Sequence, residues 1–201
     1  MRIAVISDTH LPSLIRDPDG LGPHLAAFLT GADLILHGGD VTRPSVLEWC
    51  EQFAPVLVAQ GNNDEFEDRR MAPRQFLDVH GWRIGMVHEL RPEDRPVDVL
   101  LDDALAGERV HILIGGDTHV ERLEHRDGVV VLNPGSPTLP HHREYRLGAA
   151  AMLEVTAAGL RAEVVALGET PGMRNPTQPR SLALPPPPPL GRFQGPREAA
   201  G

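Results

Sequence analysis

The 201-residue chain combines 41% hydrophobic residues with a formal charge of −9, which allows one domain with a sizeable core and argues against a general nucleic-acid binder. All 19 basic residues are arginine, so lysine chemistry such as a Schiff base or a P-loop lysine is excluded. The lone Cys50 excludes an internal disulfide and a thiolate-rich metal site, and no apolar run approaches the ~20 residues needed to span a bilayer. Arg2 is followed by only four apolar residues, which is not a signal-peptide pattern, so no membrane association and a cytoplasmic location are expected.

Taken in order, Ile3 to Ile6 is a short buried strand ending at Ser7-Asp8-Thr9-His10. After a Pro- and Asp-containing loop, Leu21 to Leu29 has helical spacing and Gly31 supplies a stop. Asp33 to His37 is a strand ending at Gly38-Gly39-Asp40, and Pro44 opens a helix that runs to Phe53. Pro55 to Gln60 is a third strand, ending at Gly61-Asn62-Asn63-Asp64. The pattern then turns antiparallel. Phe76 to His80 and Arg83 to Val87 form a hairpin across Gly81-Trp82, which ends at His88. Pro96 to Ala106 is helical, and Val110 to Ile114 is a strand running into Gly115-Gly116-Asp117-Thr118-His119. Glu121–His125 and Val129–Leu132 pair across Asp127-Gly128, and Leu147–Val155 pairs with Leu160–Leu167. A parallel half and an antiparallel half, both with covering helices, predict an α/β fold of two sheets sandwiched between helices. From Gly168 the composition shifts: residues 168–201 are Pro-rich, with Pro185–Pro189 unbroken, and are expected to form an extended tail outside a domain of residues 1–167.

The chemistry lies at the strand ends. Asp8, His10, Asp40, Asn62, His88, Asp117 and His119 come from five segments, each following a predicted strand, where ligands bind in open α/β sheets. Seven oxygen and nitrogen donors exceed the need of one tetrahedral ion and suit two divalent ions. With no sulfur ligand, manganese, iron and zinc all fit. Singly, each residue has a structural explanation: Asp8 as a turn cap, Asn62 in a left-handed turn, His10 at the surface. Together and in this order they point to a metal site.

This ordered set, Asp8-Thr9-His10, Gly39-Asp40, Gly61-Asn62-Asn63-Asp64, His88 and Gly116-Asp117-Thr118-His119, resembles the calcineurin-like metallophosphoesterases, most of all their small single-domain prokaryotic phosphodiesterases. Asn133-Pro134-Gly135-Ser136-Pro137 also matches a stretch of that group. The resemblance covers about residues 1–167 and implies an α/β/β/α sandwich of the metallophosphoesterase type. It further implies that Asp8, His10 and His119 hold one metal, that Asp40 bridges, and that Asn62, His88 and Asp117 hold the second. The implied activity is hydrolysis of a small phosphate diester by in-line attack of a metal-bridging hydroxide. Asp40, Asn62 and Asn63 are the candidate catalytic residues.

Three departures from the family pattern stand out. Asn63 occupies a position where a histidine often assists the leaving group, and an amide cannot act as a general acid near neutral pH. Asp117 replaces a histidine, and this harder ligand favours manganese or iron over zinc at that position. The usual His-Gly-His is His88-Glu89-Leu90, with Glu89 expected in solvent. His37 is read as a packed residue beside the site, and His24, His80, His111 and His125 as structural or exposed. His141-His142-Arg143 reads as a solvated loop in preference to a phosphate contact at the rim, Asp64 as an orienting residue, and Cys50 as a packed thiol. Two alternatives to a phosphodiesterase remain: a binding or scaffold protein on the same fold, for which the superfamily's retromer subunit is the precedent, and a phosphomonoesterase or protein phosphatase. Homo-oligomerisation is left open.

Overall fold

The computed structural model describes residues 1–12 and 15–190. The short apolar runs form strands buried on both faces, as parallel strands covered by helices must be. They are β1 (Arg2–Ile6), β2 (Leu34–His37) and β3 (Val56–Ala59), followed by the two-residue β4 (Met71–Ala72). All four run parallel at one end of a seven-stranded sheet. The antiparallel end comprises β10 (Ala149–Thr156), β11 (Gly159–Ala166) and β12 (Arg180–Leu184), giving the order β12-β11-β10-β1-β2-β3-β4. A second sheet contains β5 (Gln75–Val79), β6 (Trp82–Met86), β7 (Ile112–Ile114), β8 (Arg122–Arg126) and β9 (Val129–Asn133), in the order β5-β6-β7-β9-β8.

Alternation along each strand divides the core into layers. Ile3 and Val5 of β1 face the other sheet and meet Ile84, Met86, Ile112, Ile114, Val130 and Leu132. Ala4 and Ile6 face outward beneath α1 (His24–Leu29) and α2 (Pro44–Cys50). Outside the second sheet, α3 (Val97–Leu105) lays Val97, Leu100, Leu101 and Leu105 over Val110, Leu113, Val129 and Val131. The result is the expected α/β/β/α sandwich. Cys50 is buried under α2, as read from its sequence context. Among the described residues, no helix is long and apolar enough to cross a membrane.

Two expectations need correction. The helix read over 21–29 is divided: a 3₁₀ turn spans Pro18–Leu21, and α1 starts only at His24. Gly22, at φ 112°, and Pro23, which lacks an N–H, break the run between them. The larger correction concerns the tail. Arg180–Leu184 pairs antiparallel with β11, from Leu160 opposite Leu184 to Val164 opposite Arg180, so the sheet extends beyond residue 167. Asn175 anchors the approach, donating through Nδ2 to the carbonyls of Gly148 (2.9 Å) and Gly168 (2.8 Å). Ring nitrogen Nε2 of His111 then lies 3.0 Å from the Pro188 carbonyl. The prolines of 185–189 lack the N–H groups that would continue the ladder, which accounts for the end of β12 at Leu184. Residues 191–201, also assigned to the tail, lie outside the described residues.

Candidate metal centre

The loops after β1, β2, β3, β6 and β7 bring Asp8, His10, Asp40, Asn62, His88, Asp117 and His119 to one place. His10 Nε2 is 3.0 Å from Asp40 Oδ2 and 3.9 Å from Asp8 Oδ1. His119 Nε2 is 3.5 Å from Asp8 Oδ1, and His88 Nε2 is 3.4 Å from Asp40 Oδ1. Asn62 Oδ1 lies 3.0 Å from His88 Nε2, and Asp117 Oδ1 lies 3.8 Å from it. Two groups of possible ligand atoms lie within 4.8 Å of one another: Asp8, His10 and His119, and Asp8, Asp40 and His88. The first is the trio implied for one ion. In the second, Asp8 and Asp40 accompany His88, while Asp117 falls in neither group.

Local backbone explains why these side chains converge. Asp8 (φ 57°), His10 (24°), Asp40 (54°), Asp117 (67°) and His119 (55°) all occupy the left-handed region. Such conformations cost of order 1–3 kcal/mol each and persist where surroundings impose them. Here the surroundings are hydrogen bonds from distant segments. Ser136 donates to the Asp8 carbonyl at 2.7 Å, and Thr138 donates to the Thr9 carbonyl at 2.5 Å, which gives the Asn-Pro-Gly-Ser-Pro stretch a structural task. Asp64 accepts from the backbone N–H groups of Asp40 (3.0 Å), Gly61 (2.9 Å) and Thr42 (2.8 Å), the orienting role read for it. A Cβ on Gly116 would lie 2.1 Å from Ser7 Oγ, so only glycine lets this turn approach β1.

The donor set fits divalent cations on its own chemistry. Nδ1 of His88 faces the Gly38 carbonyl at 2.7 Å, and Nδ1 of His119 faces that of Leu139 at 2.8 Å. A carbonyl only accepts, so each Nδ1 donates and a neutral ring points its Nε2 lone pair into the cluster. His10 Nε2 is buried without a well-formed hydrogen bond. The buried carboxylates and imidazoles also shift one another's charge. Burial raises Asp8 to about 7 against the opposing pull of His88. Asp40 is also penalised by burial, yet its contacts with His10, His88 and Asn63 hold it well below the usual carboxylate range. His88 is held at about 9: burial disfavours its charge, but Asp40 and Asp8 outweigh that. Burial lowers His119 to about 4. Two carboxylates, two carbonyl-oriented imidazoles and a third imidazole without a well-formed hydrogen bond make a candidate cation site.

Residues 1–158 match the calcineurin-like phosphoesterase superfamily domain. The chain belongs to that superfamily. It is 32% identical over 170 residues to a probable metallophosphoesterase of Methanothermobacter thermautotrophicus, covering 84% of this chain and 94% of the relative. Among solved structures, Vps29 of Chaetomium thermophilum superposes with a TM-score of 0.72 at 18% identity, covering 92% of this chain and 97% of that one. A predicted phosphoesterase of Streptococcus pneumoniae superposes with a TM-score of 0.62 at 20% identity, covering 91% and 97%. Both structures share the fold, and family membership supports a metal-dependent phosphoester hydrolase.

Several other residues find their place in the superfamily site. Asn63, exposed at the rim, spends its donors on Asp40: its backbone N–H reaches Oδ1 at 2.9 Å and its side-chain amide reaches Oδ2 at 2.7 Å. These bonds orient Asp40, and an amide has no proton to give near neutral pH. Burial lowers His37 to about 3, and the ring is packed against Thr9, 3.3 Å from Oγ1, as read. Glu89 is exposed, as expected. Two further residues line the cleft beside the ligand cluster. His142 stacks on His119 with ring centroids 3.8 Å apart and lines the cleft from a loop that is exposed, as read. Arg91, three residues after His88, contacts Asp117 and lines the same cleft. His142 belongs to a His-His-Arg run that the sequence displays; Arg91 is one arginine among 19 basic residues, with no sequence signal to single it out.

Proposed function

We propose that the protein is a dinuclear metal-dependent phosphodiesterase acting on small phosphate diesters. The observation that supports the diester reading is a pair of spaces that both reach Asn62 of the ligand cluster. One, of about 280 Å³, is bounded by His10, Asp40, Asn63, Arg91, His119 and His142. The other, of about 430 Å³, is bounded by Gln60, Arg74, Val87, Glu89 and Asp103. Asn62 lines both. A phosphorus atom beside Asn62 would have room for a substituent in each space, which a diester requires and a monoester does not.

Asp8, His10 and His119 would hold one ion, and Asn62, His88 and Asp117 the other, with Asp40 between them. Bound divalent ions supply Lewis acidity that activates water and offsets charge developing on phosphoryl oxygens. The protein's own part is to position. Asn63 fixes both oxygens of Asp40, and Asp64 fixes the backbone that carries it. The carbonyls of Gly38 and Leu139 fix the tautomers of His88 and His119. No side-chain acid stands at position 63, so esters with good leaving groups are the preferred substrates. The carboxylate at 117 favours manganese, with iron or zinc as alternatives. A scaffold function on the same fold would leave the donors free to erode; six of the seven keep the family's residue type and Asp117 can still ligate, which weighs against it.

The test is turnover of bis(4-nitrophenyl) phosphate and of 4-nitrophenyl phosphate with added manganese. The reading expects metal-dependent hydrolysis, faster for the diester, that falls to background in Asp40→Asn. Equal rates for wild type and the variant would sink it.

A further inference from the structure

Arg91 is placed to do more than neutralise Asp117. Its Nε contacts Asp117 Oδ2, and its Nη2 donates to the Asp117 carbonyl at 3.2 Å. The first is an ion-pair contact, and the second uses one of the five N–H donors of a guanidinium. The side chain nevertheless remains 51% exposed and lines the 280 Å³ cleft over His10, Asp40, Asn62 and His119. One edge of the fork is thus pinned to the site while the rest faces the space where a reacting group would lie.

Charge explains what that position is good for. Asp8, Asp40 and Asp117 converge here, and three carboxylates cancel most of the charge that two divalent ions would bring. An approaching phosphate would meet a centre with little net attraction. Among the described residues, Arg91 is the one arginine lining this 280 Å³ space, and Arg74 lines the adjoining one. A guanidinium matches paired phosphate oxygens in a planar, two-bond geometry that an ammonium cannot supply. Asp117 can also do what an imidazole at its position could not: direct Oδ1 toward His88 while Oδ2 orients a cation.

We propose that Arg91 is the anchor for the non-bridging oxygens of the substrate phosphate, held in register by Asp117. The proposal rests on the phosphoesterase reading for its substrate, but phosphate binding tests it separately. The experiment compares manganese-loaded wild type, Arg91→Met and Arg91→Lys by calorimetric titration with inorganic phosphate, by KM and kcat for bis(4-nitrophenyl) phosphate, and by metal content. Loss of a charge-assisted pair of hydrogen bonds should weaken phosphate binding and raise KM by about tenfold or more in Arg91→Met, with kcat within about threefold and metal content unchanged. Arg91→Lys, which keeps the charge without the fork, should fall between. Unchanged phosphate affinity in Arg91→Met would overturn the proposal, and so would absence of phosphate binding by wild type. Loss of metal and of kcat with KM intact would show instead that Arg91 serves only to hold Asp117. If wild type binds phosphate through Arg91 yet hydrolyses neither ester, the anchor stands and the phosphoesterase reading fails.

Discussion

Ser136 donates its hydroxyl to the carbonyl of Asp8 at 2.7 Å, joining positions 128 residues apart. The bond is buried and holds Asp8 at its positive φ, so the loop after β9 fixes the first ligand of the loop after β1. Ser136 Oγ also accepts from the Leu139 N–H at 2.8 Å, and the Leu139 carbonyl orients His119. One hydroxyl therefore ties together two members of the Asp8, His10 and His119 group. Ser136→Ala should destabilise the fold by about 1–3 kcal/mol, the cost of a stranded buried carbonyl, and lower Tm by several degrees. Thermal melts with and without manganese check this: the stabilisation given by the metal should shrink in the variant.

Gly116→Ala should be more damaging than its single methyl suggests. The added Cβ would lie 2.1 Å from Ser7 Oγ and 2.9 Å from Asp8 Oδ2, and neither buried group has room to retreat. A loss of about 1–3 kcal/mol is expected from overpacking, together with weaker metal binding. A chemical-denaturation midpoint equal to wild type would contradict the close approach.

Asp64→Asn tests the support beneath Asp40. The carboxylate accepts three backbone N–H groups, and an amide would present an N–H to at least one of them. A drop in stability of about 1–3 kcal/mol and a fall in manganese affinity are expected, measured by denaturation and calorimetry.

Cys50 should be inert in the native protein. Burial pushes its thiol up to about 12, so at pH 8 almost no thiolate forms, and the side chain is fully buried. A disulfide-exchange reagent at pH 8 should react only as the chain unfolds. Raising the pH toward 9 should accelerate a free thiol model far more than the folded protein. Rapid native labelling would contradict the packing of α2.

The ligand positions were legible because the fold confines ligands to the ends of parallel strands. Asp8, Asp40, Asn62 and Asp117 each follow an apolar run that could only be a buried strand, so their order along the chain already placed them together. β12 was not legible, because Arg180–Leu184 lies between prolines and has little core-forming character of its own; the free edge of β11 supplies its partners. Truncation makes this measurable: a chain ending at Leu167 should melt below one ending at Leu190 and, with the β11 edge exposed, should associate more readily. Equal melting temperatures would contradict the role of β12. Arg91 and His142 were hidden for a different reason. They reach the site from loops whose course depends on tertiary packing, and neither follows a strand in the pattern that marks the ligands.

Seven residues from five loops are proposed to hold two divalent ions. Calorimetric titration of the metal-free protein with manganese, with elemental analysis of the loaded protein after gel filtration, tests it most directly. Wild type should take up two equivalents per chain, and Asp40→Asn, which weakens the group lying between both ions, should take up fewer. No manganese bound by wild type, or two equivalents retained at unchanged affinity in Asp40→Asn, would contradict the account.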